Sequence, residues 1–524
     1  MTIETAPATD NPYDAIPYKD HAYPFTHPRH LESMATLFGM TPPDIARCRT
    51  LELGCAGGGN IIPLASDLPE ASFLGVDLSE RQIAVGNSIV RSLGHTNVEL
   101  RQANIMDIDE SWGQFDYIIS HGVFSWLPPA VQDKLLEVSA RNLAPNGVAF
   151  ASYNVYPGWH LANVVRDLMQ YHAGQFNDPR KKIEQAKAIL GFLVGLGGQN
   201  RACELLLKEE LDILQRVNDD AYLFHEHLEA DNNPIYFYQF MERAESRGLQ
   251  YLADADFNTM LVQNLPAAAR EPFKRLPQLQ QEQYMDFVRG RRFRKTLLCR
   301  RDVALQRGIR PETIKKFHVA LLCPVEVQGL DIRNEQPVDF VGQGTRLTTV
   351  SRVMKAAMMI LKEAHPRYVA FHRLYAAALA RAQQTRPLAP QDQHNTPDAL
   401  AGSLLSGFSV GMIGICLHPP QWAGEVGERP VARPLARIQA ARGATLTSLQ
   451  HAPVKLDPVS LCVLRRLDGR HDRQALLAGL REAAASGELR LPNGAAPVVP
   501  DADVLGQDLN NVLKTIADSA LLVE

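Results

Sequence analysis

Glu52 stands two residues ahead of a glycine cluster in "LELGCAGGGN" (51–60), and Asp77 closes the apolar run "FLGVD" 25 residues later. Gly54, Ala56 and Gly59 lie at a GxGxxG-like spacing with Ala in the middle place, a strand–turn–helix junction that brings backbone close to a ligand. Three ligand classes compete for such a turn. A P-loop needs Lys and Ser/Thr after its last glycine; Asn60 and Ile61 stand there instead. A dinucleotide would find its ribose partner in Asp77, but its pyrophosphate would dock close to Glu52. Two like charges ~5 Å apart cost roughly 3 kcal/mol at an effective dielectric of ~20. S-adenosylmethionine reverses that sign, because it carries an ammonium and a cationic sulfur. The acid ahead of the turn therefore favours a methyl donor, while Asp77 suits either ligand.

Further along, "VELRQANIMDI" sets Asn104 and Ile105 where an amide reads an adenine edge and an aliphatic chain packs on the ring. The stretches after the fourth and fifth apolar runs are rich in aromatics: Phe124 and Trp126, then Tyr153, Tyr156 and Trp159 in "YNVYPGWH". Rings at such a place hold an alkyl stem and attract a methylated cation, although Phe124 and Trp126 equally suit a core. Tyr18, Thr26 and His27 belong to a leading segment expected to lid the donor or simply to pack as a lead helix. "HEHLE" (225–229) has Glu229 where a zinc-protease helix has its second His, so no metal is expected. "RGRRFRKTLLCR" (289–300) reads as a solvated or domain-bridging basic face.

These residues need elements to hold them. "RTLELGC", "SFLGVDL", "NVELRQANI", "FDYIISHG" and "GVAFASYNV" alternate with helical stretches such as "SERQIAVGNSIVRSLG". That alternation predicts parallel βαβ units in a doubly wound, Rossmann-like α/β sheet whose carboxyl edge carries the site. From about Pro179 to Gln306 the apolar spacing is helical, with no strand expected. Two helix–helix–helix–strand blocks then follow, each winged-helix-like. The expected boundaries are 1–45 (lid segment), 46–172 (donor domain), 173–308 (mainly helical middle domain), 309–435 and 436–524 (winged-helix-like).

Composition bounds the partners. The 524 residues carry a net charge of −4, with no basic stripe that would argue for a nucleic-acid partner. No apolar run approaches the ~20 residues of a membrane span, and "MTIETAPATDNPYDAIPYKD" lacks a leader pattern. Seven scattered cysteines without a CxxC pair point to a reducing, cytoplasmic setting without structural zinc.

With these motifs in view, "LELGCAGGGN", "GVDLSERQI", "FDYIISHGVFSWLP" and "ASYNVYPGWH" resemble class I S-adenosylmethionine-dependent methyltransferases of a three-part branch. That branch adds a methyltransferase regulatory domain and a C-terminal domain, and includes the rickettsial-type protein-lysine methyltransferases that act on outer-membrane protein. "NPYDAIPY…THPRHLESMATLFGM", "YLFHEHLEADNNPIYFYQFMERAESRGLQYLADA" and "PLARIQAARGATLTSLQH…LDPVSLCVLRRLDGRHDR" extend the resemblance over most of the chain. It implies that Glu52, Gly54 and Gly58, with Cys55 and Ala56 between them, meet the methionine end. Asp77 takes the ribose hydroxyls, Leu78 and Gln82 lie by the adenosine, and Asn104 and Ile105 border the adenine. His121 lies beside the methionine carboxylate or sulfur, and Phe124, Tyr18 and Thr26 complete the donor contacts. Ala56 departs from the usual second glycine, so its backbone must either keep φ below zero or accept strain.

The expected activity is methyl transfer to a protein side chain, lysine Nε first, with Tyr153, Tyr156, Trp159 and His121 around the acceptor and no metal. A polypeptide partner follows from the added domains, and pairing as a homodimer stays open. Rival readings are a small-molecule methyltransferase and a non-catalytic donor-binding protein.

Overall fold

The computed structural model describes residues 21–197, 200–385, 393–443, 445–487, 489 and 502–523. Tyr18 lies outside them. The alternating runs form strands β1 (Arg49–Leu53), β2 (Ser72–Asp77), β3 (Val98–Gln102), β4 (Phe115–Ser120) and β5 (Leu143–Asn154). Five helices accompany them: α1 (Pro28–Leu37), α2 (Ile61–Asp67), α3 (Glu80–Leu93), α4 (Pro129–Arg141) and α5 (Gly158–Ala173). Local chemistry sets their ends. Ser79 caps α3 by accepting the Gln82 N–H, and Gly94 ends it in a left-handed conformation at φ 68°. Residues 50–53 of β1 are all buried, as expected for a strand covered on both faces.

The sheet has seven strands in the order β3-β2-β1-β4-β5-β7-β6. Its last two, β6 (Leu249–Asp254) and β7 (Phe293–Arg300), come from the middle region, where the sequence predicted only helices. β7 runs antiparallel to β5 from Ala149↔Leu298 to Asn154↔Phe293, and β6 pairs antiparallel with β7. The middle region remains mainly helical, with Pro179–Leu196, Arg201–Val217 and Phe237–Glu245 among its helices. It nonetheless completes the donor sheet, so the expected boundary at residue 172 cuts through a single sheet.

Beyond it, Val369–Ala370, His318–Leu321 and Ile413–Cys416 form a small antiparallel sheet flanked by helices Arg352–Ala364, Phe371–Thr385 and Pro397–Ser409. The buried core of this block runs on from that of the donor domain. The C-terminal region has a core of its own, built from helices Pro434–Arg442, Pro458–Leu464, Arg473–Ala485 and Ala502–Asp518 with the ribbon Leu446–Thr447/Pro453–Val454. Among the described residues, no helix is long and apolar enough to cross a membrane.

Candidate functional site

β1 sits between β2 and β4, where the strand order reverses, and in such sheets ligands bind outside the carboxyl ends of the strands at that point. The turn leaving β1 is tightly held there. Gly54 N–H and Cys55 N–H both donate to Val76 O (2.8 and 3.0 Å), and Gly58 N–H donates to Cys55 O at 2.8 Å. Gly54 has φ 75°, and a Cβ on it would meet Val123 Cγ2 at 2.4 Å, so only glycine fits. Ala56 takes the strained alternative, with φ 48°. A left-handed alanine costs roughly 1–2 kcal/mol, and the Asp77 carboxylate helps hold it by accepting the Ala56 N–H at 2.8 Å. Asp77 also accepts the Ser79 N–H at 2.9 Å, so one acid ties the turn to the end of β2.

Glu52 is 4% exposed. Its Oε1 accepts from Asn60 Nδ2 at 2.8 Å. Asn60 Oδ1 in turn accepts Tyr23 N–H (3.1 Å), the Thr26 hydroxyl (3.0 Å) and His451 Nε2 (2.9 Å). Thr26 therefore lies over the turn but works through Asn60. Past the ends of β2 and β3, Leu78 (61%) and Met106 (47%) are exposed and Ile105 is half-buried. Asn104 is exposed and its side chain accepts the Met106 N–H at 3.0 Å. Gln82 is half-buried in the first turn of α3, its N–H donating to Ser79 Oγ at 3.2 Å.

His121, just past β4, meets Ser152 Oγ through Nδ1 at 2.8 Å, and Gly122 N–H donates to the same oxygen. Rings surround it: Tyr23 at 4.0 Å, Phe25 at 5.1 Å, Phe150 at 6.0 Å and Phe293 at 6.2 Å between centroids. Burial, and then the nearby Lys295 ammonium, push His121 down to about 3, so it is a neutral imidazole at physiological pH. Lys295 itself lies 4.0 Å from the Phe25 ring and pairs with Asp256 at 2.6 Å.

The aromatic candidates separate. Tyr153 is buried, stacked on Phe240 at 4.0 Å, with its hydroxyl 2.9 Å from Thr296 Oγ1. Phe124 is buried between Tyr153 (5.6 Å) and Phe240 (5.3 Å). Trp159 is buried in α5 with the Arg292 guanidinium 6.0 Å from its ring. All three are buried, because middle-region residues cover the faces that were expected to be open; Trp126 is half-buried. Tyr156 differs. It is half-buried, stacks on exposed His160 at 3.9 Å, and sits 5.3 Å from Tyr236, whose hydroxyl meets His160 Nε2 at 3.1 Å.

"HEHLE" forms a π-helical turn, Phe224–Leu228, in which His225 meets Glu229 (3.2 Å) and His227 meets Glu210 (3.3 Å). The basic run bridges elements: Arg294 pairs with Asp286 (2.8 Å) and Glu282 (3.0 Å), Arg291 with Asp254 (2.6 Å), and Arg292 with Glu210 (2.8 Å). One cluster outside the crevice, His27, Asp67 and His451, brings ligand-type atoms within 4.8 Å of one another. Its charges suit an ion pair rather than a metal. Arg433 already pairs with Asp67 at 2.6 Å, and Arg29 Nη1 lies 3.2 Å from His27 Nε2, so a divalent ion would face two guanidinium groups. Asn60, Ser152, Tyr23, Phe25 and Phe293 were not singled out in the sequence. Asn60 had a signal, since it follows the last glycine of the turn directly; His451 had none.

A strained glycine turn at a switch point, an acid on each side of it and an apolar rim fit a ligand with a cationic amino-acid end and an adenosine. Comparisons with known proteins agree. Residues 50–147 match a methyltransferase domain, 219–300 a "Predicted methyltransferase regulatory domain" and 428–521 a "PKMT, C-terminal winged helix domain". The structure is similar to that of PKMT2 from Rickettsia typhi in complex with AdoHcy, with a TM-score of 0.85 and 29% identity over 97% of this chain and 100% of that one. An uncharacterized protein of Rickettsia prowazekii is 36% identical over 494 residues, covering 92% of this chain and 88% of the relative. A second protein of that organism is 39% identical over 241 residues, 46% of this chain and 96% of its own length. The fold and site define an S-adenosylmethionine-dependent methyltransferase. The chain belongs to the family of that 36%-identical rickettsial relative, with a regulatory domain and a PKMT winged helix following the donor domain.

Proposed function

We propose that the chain methylates protein side chains, with lysine Nε as the acceptor. The observation that carries this reading is the rim formed by half-buried Tyr156 and Tyr236 with exposed His160, beside the loop that leaves β5. Phe293, 38% exposed, pairs with Asn154 in the sheet and approaches His121. Stacked rings suit the alkyl stem of a lysine and attract its methylated head, and an open rim admits a polypeptide. The PKMT match over the C-terminal region and the likeness to PKMT2 support the same acceptor class.

S-adenosylmethionine supplies an electrophilic methyl group on a cationic sulfur. This chain's residues align the two partners, which supplies several kcal/mol of the barrier (~7–11 at most). Glu52, held by Asn60, opposes the charge at the amino-acid end, and Asp77 takes the ribose hydroxyls. Leu78, Ile105 and Met106 pack the adenine. Neutral His121 adds no positive charge beside the sulfur, and Tyr23 and Phe25 shield that side from water. A lysine amine, with an ordinary pKa of ~10.4, loses its proton more easily where a second cation is disfavoured. A dedicated base is then not required. The cysteines, six buried and Cys203 exposed, are all free, which fits a reducing cytoplasm. Every residue named belongs to one copy of the chain, so the reading does not require a dimer.

Labelled donor incubated with the purified protein and a proteome extract tests this by mass spectrometry. Methyl groups on lysine, lost in Tyr156→Ala with donor affinity retained, are the expected result. Label found only in a small metabolite overturns it.

A further inference from the structure

The C-terminal domain reaches the donor site through one buried side chain. Asn60 directly follows the glycine turn, and its orientation is dictated by chemistry: a carboxylate only accepts, so the NH2 faces Glu52 and Oδ1 faces the three donors. His451 must then carry its proton on Nε2. The ring is fully buried and edge-on to His27 at 5.0 Å. It is held by a tight turn in which Ser448 N–H donates to Ala452 O (2.9 Å), Ala452 N–H donates to Ser448 Oγ (3.2 Å) and His451 itself sits at φ 60°. A non-glycine residue in that region persists only where its surroundings over-determine it. Arg433 of the same domain adds a second hold on α2, donating to Pro63 O at 2.7 Å and pairing with Asp67.

We infer that His451 is a positioning residue for the methyl-donor site, acting through Asn60 on Glu52 and on the leading segment at Tyr23 and Thr26. The winged helix is thus part of the apparatus that fixes donor affinity, besides any role it has toward acceptors. By linkage, donor binding must also tighten the hold on residues 446–454. The inference rests on the reading that Glu52 meets the donor's amino-acid end.

Calorimetric titration with S-adenosylmethionine separates the outcomes. His451→Phe keeps the ring and its packing but removes the N–H, and is expected to weaken donor binding about three- to tenfold, the worth of one hydrogen bond to a site that retains two others. His451→Gln, which can donate, is expected to recover most of that. The donor KM is expected to rise while kcat holds. Arg442→Ala, at an exposed contact with Ser88 in the same seam, gives the wild-type value. If His451→Phe binds like wild type, or if Gln fails to rescue, the side chain only glues two domains together and the inference falls. Glu52→Gln distinguishes the two failures: unchanged affinity there removes the underlying reading, while weakened affinity there with normal His451→Phe removes this inference alone. Should both His451 variants misfold, amide exchange of the wild type decides the matter. Protection at 446–454 is expected to rise with saturating S-adenosylhomocysteine, and no rise overturns the proposal.

Discussion

Two seams join other parts of the chain to the donor domain, and they are built differently. The middle region joins through backbone, with β7 laddered onto β5 over six paired residues, and Arg294 of β7 ties that strand to the region's own helix Gln278–Arg289. That buried guanidinium makes hydrogen bonds to both oxygens of Asp286 (2.8 and 2.9 Å) and to Glu282 at 3.0 Å. Burial opposes its charge, yet the two carboxylates outweigh burial and hold it well above its ordinary range. The winged helix joins through side chains, with one guanidinium, Arg433, facing one carboxylate, Asp67. Here burial wins on both sides, pushing Asp67 up and Arg433 down. An ion pair in low dielectric stabilises only when further hydrogen bonds compensate its desolvation. The first seam has that compensation and is part of the fold. The second is compensated on one side only: Arg433 also donates to Pro63 O (2.7 Å) and Ser448 O (2.9 Å), whereas the Asp67 oxygens accept no hydrogen bond among the described residues.

The largest expected effect follows directly. Arg294→Met takes from buried Asp286 and Glu282 the guanidinium they share and should cost about 3–5 kcal/mol of global stability, read as a lower urea midpoint of the whole transition. Arg433→Met should cost less, about 1–3 kcal/mol, because Asp67 is already biased toward taking up a proton. Amide exchange should place that loss in residues 428–523 and leave 293–300 protected. Equal losses from both variants, spread over the whole chain, would break the distinction between the seams.

Acidification separates the seams in a third way. His27 and His451 are held well below 6.5, first by burial and then by neighbouring arginines, chiefly Arg29 for His27 and Arg433 for His451. Burial places His121 at about 3. Groups kept neutral in the folded state contribute stability that is complete above pH 6.5 and is lost as pH falls from there toward their folded values. Each contributes a slope of at most ~1.4 kcal/mol per pH unit. Asp67, pushed up, works in the opposite direction over a lower range, above 3.8. Two of the three histidines lie at the winged-helix seam, so between pH 6.5 and 5 exchange at 446–454 should accelerate before exchange at 293–300 does.

The contrast also explains what the sequence revealed. β1 to β5 were legible because each is an apolar run bounded by helical spacing, and the glycine turn with Glu52 and Asp77 was legible because its chemistry is local. β7 was not. "FRKTLLCR" belongs to a run that reads as a solvated or domain-bridging basic face, not as a strand, and Asp286, Glu282 and Asp256 lie on other elements. The burial of the aromatic candidates was illegible for the same reason: Tyr153 and Phe124 sit where an open sheet edge would expose them, but Phe240 of the helix Phe237–Glu245 and Thr296 of β7 cover that edge, and Arg292 lies by the Trp159 ring. His451, 391 residues from Asn60, is invisible to any local pattern.

Tyr153 gives the smallest and sharpest test. Its hydroxyl crosses the first seam to Thr296, and burial drives its ionisation far above the ordinary range, so it can neither accept a proton from a substrate nor carry charge. Tyr153→Phe keeps the stacking on Phe240 and removes one buried hydrogen bond, leaving the Thr296 hydroxyl without this partner. That should cost about 1 kcal/mol in urea unfolding with methyl-transfer rate unchanged. Tyr156, three residues on and past the end of β5, is half-buried on the exposed rim; its truncation to Ala should slow transfer with little effect on the urea midpoint. If the two variants exchange behaviours, the acceptor lies on the β7 side of the strand rather than on the rim, and the sheet seam is itself part of the active site.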